Sequence, residues 1–253
     1  MDSTEPTTEL DWWNGQLATL DTETTGTDVE NDRIVTAVLD IYDEHGRIAS
    51  LSMMLDPGIE IPEAATKIHG ITTEQVRADG ILPVTALSRI RGALAGVWAE
   101  GIPVVVYNAA YDFTILDREC RRHGLGPLEI TGPVIDPYVI DRHVDRYVKG
   151  VGQRQLVPTC IRYGVELDNA HNAEADAAAA QWLARVIGRE HHMKMPSTLP
   201  DLYRWQQSLR RDQSASYQDY LARKGTKNED GSPILINGEW PMQAWVDPDL
   251  PTG

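Results

Sequence analysis

Short β-rich runs open this chain, and after them helical spacing alternates with brief apolar segments. LATLDTETTGTD, Leu17 to Asp28, is an apolar segment whose far end carries Asp21 and Glu23 two residues apart. DRIVTAVLDIYD (32–43) is rich in β-branched residues, and EHG turns it into RIASLSMMLD (47–56). Two such runs joined by a short glycine-containing loop predict a hairpin, so the first three strands form an antiparallel meander. PEAATKIHG predicts a short helix stopped by Gly70. Residues 85–100 place Leu87, Ile90, Leu94, Val97 and Trp98 at helical spacing. PVVVYN then predicts a buried strand, and AYDFTILDRECRRHG a helix closed by Gly124. GPVIDPYVI predicts a strand leading into a helix, with Asp136 as N-cap and Pro137 as its first residue. QLVPTCIRYG and EADAAAAQWLARVIGREHH are helical, the second strongly by composition.

A meander followed by strand–helix alternation predicts one α/β mixed sheet, antiparallel strands then parallel ones, with helices on both faces. Beyond MKMPSTLP the chain changes character. LYRWQQSLRRDQSASYQDYLARKG predicts one long amphipathic helix, and the stretch from Asn228 onward is turn-rich. The expected organisation is a polar segment over 1–11, a main domain over 12–193, and a helical C-terminal extension with its tail over 194–253.

Composition narrows the class. With 253 residues and 42% hydrophobic content the chain can bury a proper core. No apolar run approaches the roughly 18 residues a membrane span needs, so no membrane association is expected. The start, MDSTEPTTELD, is acidic and polar, the reverse of a signal or transit peptide. Cys120 and Cys160 stand far apart with no metal-binding pattern, as expected for reduced thiols in a cytoplasmic protein. The net charge of −15 is uneven: residues 1–100 hold 6 Lys and Arg against 18 Asp and Glu, and residues 101–253 hold 17 against 20. An acidic surface disfavours tight non-specific binding of nucleic acid, so a nucleic-acid reading must rest on the site.

The chemistry starts at Asp21 and Glu23. Residues i and i+2 of a strand share a face, and two acids aimed at one point repel each other unless a cation sits between them. Thr24, Thr25 and Gly26 follow as small, turn-competent residues that let another molecule approach the backbone. Asn108 ends a strand, and Asp112 lies about one turn into the next helix. His171 and Asp176 are five residues apart, roughly 140° around a continuous helix, so they converge only if His171 lies in the loop ahead of the helix. Four acids and one histidine then stand at element ends that can meet. All-oxygen ligation suits Mg²⁺ or Mn²⁺, and two such ions can stabilise the attacking and leaving oxygens of phosphodiester hydrolysis. His171 has the side chain to take a proton from water at neutral pH.

DTETTG, NAAYDF and HNAEAD stand in the order, spacing and context of three linked exonuclease motifs. On them the chain resembles the DnaQ-like family of the DEDD superfamily, histidine subclass, to which the proofreading epsilon subunit of bacterial DNA polymerase III belongs. The resemblance runs from about Leu17 to Ile187, and KIHGIT is similar to the family segment that packs against the terminal nucleotide. It implies an RNase H-like fold and 3′-to-5′ removal of nucleoside 5′-monophosphates. It also implies that Asp21, Glu23 and Asp176 hold one metal and that Asp21 bridges to a second. Asp112 would act on the second through water, and His171 would be the general base. By the same resemblance Thr24, Thr25 and Gly26 touch the 3′-terminal nucleotide, Ile68 and His69 line its base or sugar, and Asn108 and Phe113 support the site and the neighbouring nucleotide. Thr36 and Ala37 depart from the family's acidic, glycine-containing second strand, which implies a packing change there.

Plainer readings apply elsewhere. Asp28, Glu30 and Asp32 imitate a calcium loop, but Arg33 and Leu39 replace its glycine and glutamate. QQSLRR (206–211) faintly resembles a sliding-clamp tether and reads as ordinary helix surface. His191 and His192 read as a solvated helix end, Trp12 and Trp13 as packing on the first strand, and Asp136 as a helix cap. His69 reads equally as a cap of its own turn. The leading expectation is a DNA 3′–5′ exonuclease acting on single-stranded or frayed ends, in proofreading or repair. The alternatives are a 3′ exoribonuclease and a module that docks a polymerase or clamp.

Overall fold

The computed structural model describes residues 11–167, 170–228 and 230–247. Among them β1 (Leu17–Thr24), β2 (Ile34–Asp43) and β3 (Gly46–Met54) form the expected antiparallel meander. β4 (Val104–Val105) and β5 (Val134–Ile135) extend it in parallel, giving the order β3-β2-β1-β4-β5. The two parallel strands are short and buried on both faces, which is why they read as unbroken apolar runs.

Alternation along β1 assigns its two faces. Ala18 and Leu20 enter a core with α3 (Pro83–Ala99) and α4 (Ala109–Arg122). Leu17 enters a second core with α5 (Pro137–Val144) and α7 (Ala173–His191). Helices therefore cover both faces of the sheet, as the pattern predicts. α1 (Glu63–His69), closed by left-handed Gly70, and α2 (Thr73–Asp79) pack on the small cluster of Val35, Ile61, Ala65 and Val76. Periodicity did not reveal α2; its signal is the capping box of Thr72 and Gln75. α6 (Leu156–Tyr163) lies against α7.

α8 (Leu199–Lys224) packs on β5 and α5. The chain on both sides of the expected boundary at 193–194 shares its cores: Leu202 joins one, Leu209 and Trp240 the other. Gln206 is buried, accepting the Asp136 N–H at 2.7 Å and donating to the Val134 carbonyl at 2.9 Å. This corrects the surface reading of QQSLRR at Gln206 and Leu209, which are buried, while Ser208 and Arg211 stay exposed. Trp12 and Trp13 pack inside as expected, so close to α7 that a Cβ on Gly188 would lie 2.8 Å from that of Trp13. Except for Asp11, the expected segment 1–11 lies outside the described residues, as do residues 248–253 of the tail. Both cysteines are free and buried.

Candidate active site

Asp21 and Glu23 follow Leu17 on the face of β1 that meets α7. A register shift after Glu23 ends the regular pairing with β2, a device common beside functional sites. α7 begins where Asn172 caps it, its Oδ1 accepting from the amides of Glu174 at 3.1 Å and Ala175 at 3.2 Å. His171 precedes that cap in a left-handed conformation, φ 68°, which a non-glycine residue adopts only when its surroundings demand it. Its backbone N–H donates to Asp176 Oδ2 at 3.2 Å. His171 in the loop and Asp176 in the first turn meet as the spacing required.

Asp21, Glu23 and Asp176 each place a carboxylate oxygen within 4.8 Å of the others. Asp112 arrives from the opposite side of the sheet. Thr22 points the other way from its neighbours, and its Oγ1 donates to Asp112 Oδ1 at 2.7 Å. Asp112 is outside the three-oxygen cluster, and its charge is still felt by both Asp21 and Glu23.

This crowding shifts every acid upward. Burial first, then the charges of Asp112, Asp176 and Glu23, hold Asp21 well above the usual carboxylate range. Burial, Asp176 and Asp112 push Glu23 up to about 7. Burial lifts Asp112 to about 7 against the pull of its Thr22 hydrogen bond. Burial also raises Asp176, opposed by the His171 amide and ring. Asp176 Oδ1 is buried with no hydrogen-bond partner. Crowded carboxylates with an orphaned oxygen fit a hard divalent cation, which oxygen ligands prefer.

The turn after β1 is braced from behind. Thr24 Oγ1, the Tyr111 hydroxyl and the Gly26 carbonyl form a triangle with sides of 2.6 to 2.7 Å. Thr25 is 2% exposed, donates to Asp32 Oδ1 at 2.8 Å and accepts the Arg33 N–H at 3.0 Å. Its side chain therefore holds the turn, which leaves its backbone as the part that can face a nucleotide. Gly26 is required by close approach, since a Cβ there would lie 2.5 Å from Asp32 Oδ2. Asp28 and Asp32 spend their oxygens on this loop, in keeping with rejection of a calcium loop.

Ile68 is 58% exposed. Beside it, His69 Nδ1 accepts the Ile71 N–H at 3.1 Å, so this ring does cap its own turn. Burial lowers the His69 pKa, with the Thr24 backbone pulling it back and His171 adding to the fall. His69 thus stands between the turn and His171. Asn108, left-handed at φ 67°, starts α4 and gives its N–H to Asp136 Oδ1 at 3.0 Å. Phe113 is 0% exposed and packs on Trp98, so its side chain supports α4 from within the core. Thr36 has a buried hydroxyl without a partner, and Ala37 is fully buried. Thr22, Tyr111, Asp32 and Asn172 are the contributors the sequence reading missed. Strand alternation pointed to Thr22, and Asn172 stood one residue before the helix.

A family model for exonucleases (RNase_T) matches residues 19–183, the span that holds all of these acids. The chain belongs to the exonuclease family. This exonuclease is 30% identical over 178 residues to DNA polymerase III subunit epsilon of Treponema pallidum, covering 69% of this chain and 76% of that protein. It is 28% identical over 184 residues to the PolC-type DNA polymerase III of Lactococcus lactis, covering 72% of this chain and 10% of that one. Its fold matches E. coli exonuclease I in complex with a dT13 oligonucleotide, with a TM-score of 0.60 at 19% identity, over 71% of this chain and 42% of that. It therefore spans a tenth of the PolC-type relative and less than half of exonuclease I. Membership makes it a hydrolase of phosphodiester bonds of the 3′–5′ exonuclease class. No helix among the described residues is long and apolar enough to cross a membrane.

Proposed function

We propose that this exonuclease removes nucleoside 5′-monophosphates from the 3′ end of single-stranded or frayed DNA. Asp21, Glu23, Asp112 and Asp176 would hold two divalent cations, Mg²⁺ or Mn²⁺, and His171 would be the general base. The observation that carries this reading is the meeting of the Asp21, Glu23 and Asp176 oxygens within 4.8 Å. Bound divalent cations stabilise the charge that develops on attacking and leaving oxygens.

The chain's own groups do the rest. His171 stands beside Asp176, where its ring can take the proton of the attacking water. Thr22 keeps one Asp112 oxygen engaged, leaving the other for the site. Tyr111 and Asp32 stiffen the Thr24–Gly26 turn, so that its backbone meets a terminal nucleotide already in place. Ile68, exposed beside His69, supplies an apolar face for the base. The name of the Treponema relative supports DNA as substrate and a polymerase as protein partner; proofreading or repair in the cytoplasm is the use we propose with them.

A 5′-labelled oligonucleotide incubated with Mg²⁺ or Mn²⁺ is expected to give a descending ladder. Absence of a ladder, or a ladder unchanged in Asp21→Ala and His171→Ala, refutes the proposal. Matched RNA run beside the DNA reads the substrate preference directly.

A further inference from the structure

The C-terminal tail reaches α4, the helix that carries Asp112. Asp136 is buried, and its carboxylate receives the first amides of that helix: Asn108 N–H on Oδ1 and Ala109 N–H on Oδ2, each at 3.0 Å. The indole N–H of Trp240 donates to the same Oδ2, also at 3.0 Å. Trp240 is itself buried, its ring on Tyr203. A buried carboxylate has no water to replace a lost donor, so Trp240 helps fix where Asp136 holds the start of α4. Burial raises the Asp136 pKa, and the Trp240 hydrogen bond is the largest influence opposing it.

The tail then follows α4 past Asp112. Gln243 N–H donates to Thr114 Oγ1 at 2.9 Å. The Arg118 guanidinium donates to the carbonyls of Gln243 at 3.2 Å and Ala244 at 2.9 Å. The guanidinium groups of Arg118 and Arg121 each lie 5.1 Å from the centre of the Trp245 ring. Contacts thus run from the first amides of the helix to its last turn.

We infer that residues 240–245 are a strap that sets the position of α4, with Trp240 acting through Asp136 as a positioning residue for Asp112 and the cation site. The strap rests on the proposed role of Asp112, and it ties a segment outside the matched family span, 19–183, to that site. Small displacements of a group in such a site are costly, so a helix held at both ends is worth more than a helix held by packing alone.

Trp240→Phe keeps the ring on Tyr203 and removes the donor. Calorimetric Mn²⁺ binding is expected to weaken about tenfold and kcat to fall about tenfold, the scale set by groups that orient metal ligands. KM for a labelled oligonucleotide stays at the wild-type value. In an Asp136→Ala background, which leaves the indole no side-chain acceptor there, the same substitution adds nothing, because Trp240 acts through that carboxylate. Gln218→Ala, which cuts the tail's contacts to Ile234 and Ile236 at the far end of α8, leaves both readouts unchanged. Wild-type Mn²⁺ binding and the wild-type ladder check the underlying site separately from any variant. Wild-type Mn²⁺ affinity and kcat in Trp240→Phe, or an additive effect in the double variant, overturn the strap. Should Trp240→Phe fail to fold, Thr114→Val, which keeps the shape and removes the acceptor of the Gln243 N–H, is decided by the same two readouts.

Discussion

Thr22 donates its hydroxyl to Asp112 Oδ1 at 2.7 Å across 90 residues of chain, and both side chains are buried. Thr22 lies between Asp21 and Glu23 and faces the other way. One short strand thereby presents two acids to the α7 side of the sheet and grips a third acid from the α4 side. Thr22→Val keeps the shape and deletes the donor. A buried acceptor left short costs about 1–3 kcal/mol, so urea denaturation is expected to show that loss, with Thr22→Ser close to wild type.

Asp21 is expected to be a liability in the metal-free protein. Burial and three neighbouring carboxylates all oppose its charge. Asp21→Asn therefore raises the Tm measured in EDTA and abolishes the ladder. Added Mg²⁺ or Mn²⁺ raises the Tm of the wild type and leaves that of the variant nearly unmoved.

Glu23 sets a pH dependence with a definite sign. Its folded pKa of about 7 lies above the ordinary 4.5, so between those values the folded state holds more proton than the unfolded one. Stability then falls as pH rises through that window. Metal-free wild type is expected to lose stability relative to Glu23→Gln from about pH 4.5 to about pH 7, and to keep a constant difference above. A flat difference across the window contradicts the crowded site.

The turn that follows β1 has no room to spare. Gly26→Ala brings a Cβ within 2.5 Å of Asp32 Oδ2, so the Asp32 carboxylate must move and release Thr25 and the Asp28 amide. The expected outcome is a raised KM for the oligonucleotide with Mn²⁺ affinity unchanged, measured by steady-state kinetics and calorimetry. Weakened Mn²⁺ binding would mean that the turn supports the acids as well.

Much of the fold was legible because its signals are local. An apolar run announced β1, β-branched runs joined by a short glycine-containing loop announced β2 and β3, helical spacing announced α3, the Gly124 stop α4, composition α7 and amphipathic character α8, each within a local stretch of chain. α2 escaped because it shows a capping box at Thr72 and Gln75 without a long apolar stripe. At the site, the acids and His171 were identifiable by type and spacing, and the requirement that His171 precede its helix was met through Asn172. How the side chains of Thr25 and Phe113 pack was not legible in the sequence, for a common reason. Whether such a side chain turns outward depends on what packs behind it, here Asp32 for one and Trp98 for the other.

By itself the sequence determined which chemistry is present and how each element presents it: acids two apart on one strand face, a helix starting just ahead of Asp176, an apolar rhythm for a mixed sheet. Tertiary structure decided that Asp112 enters from the other face through Thr22, and that Trp240 closes over Asp136 from 104 residues away. Strand and helix periods repeat over two to four residues and leave a readable pattern. A single hydrogen bond between distant residues leaves none, because its partners are chosen by how whole layers pack.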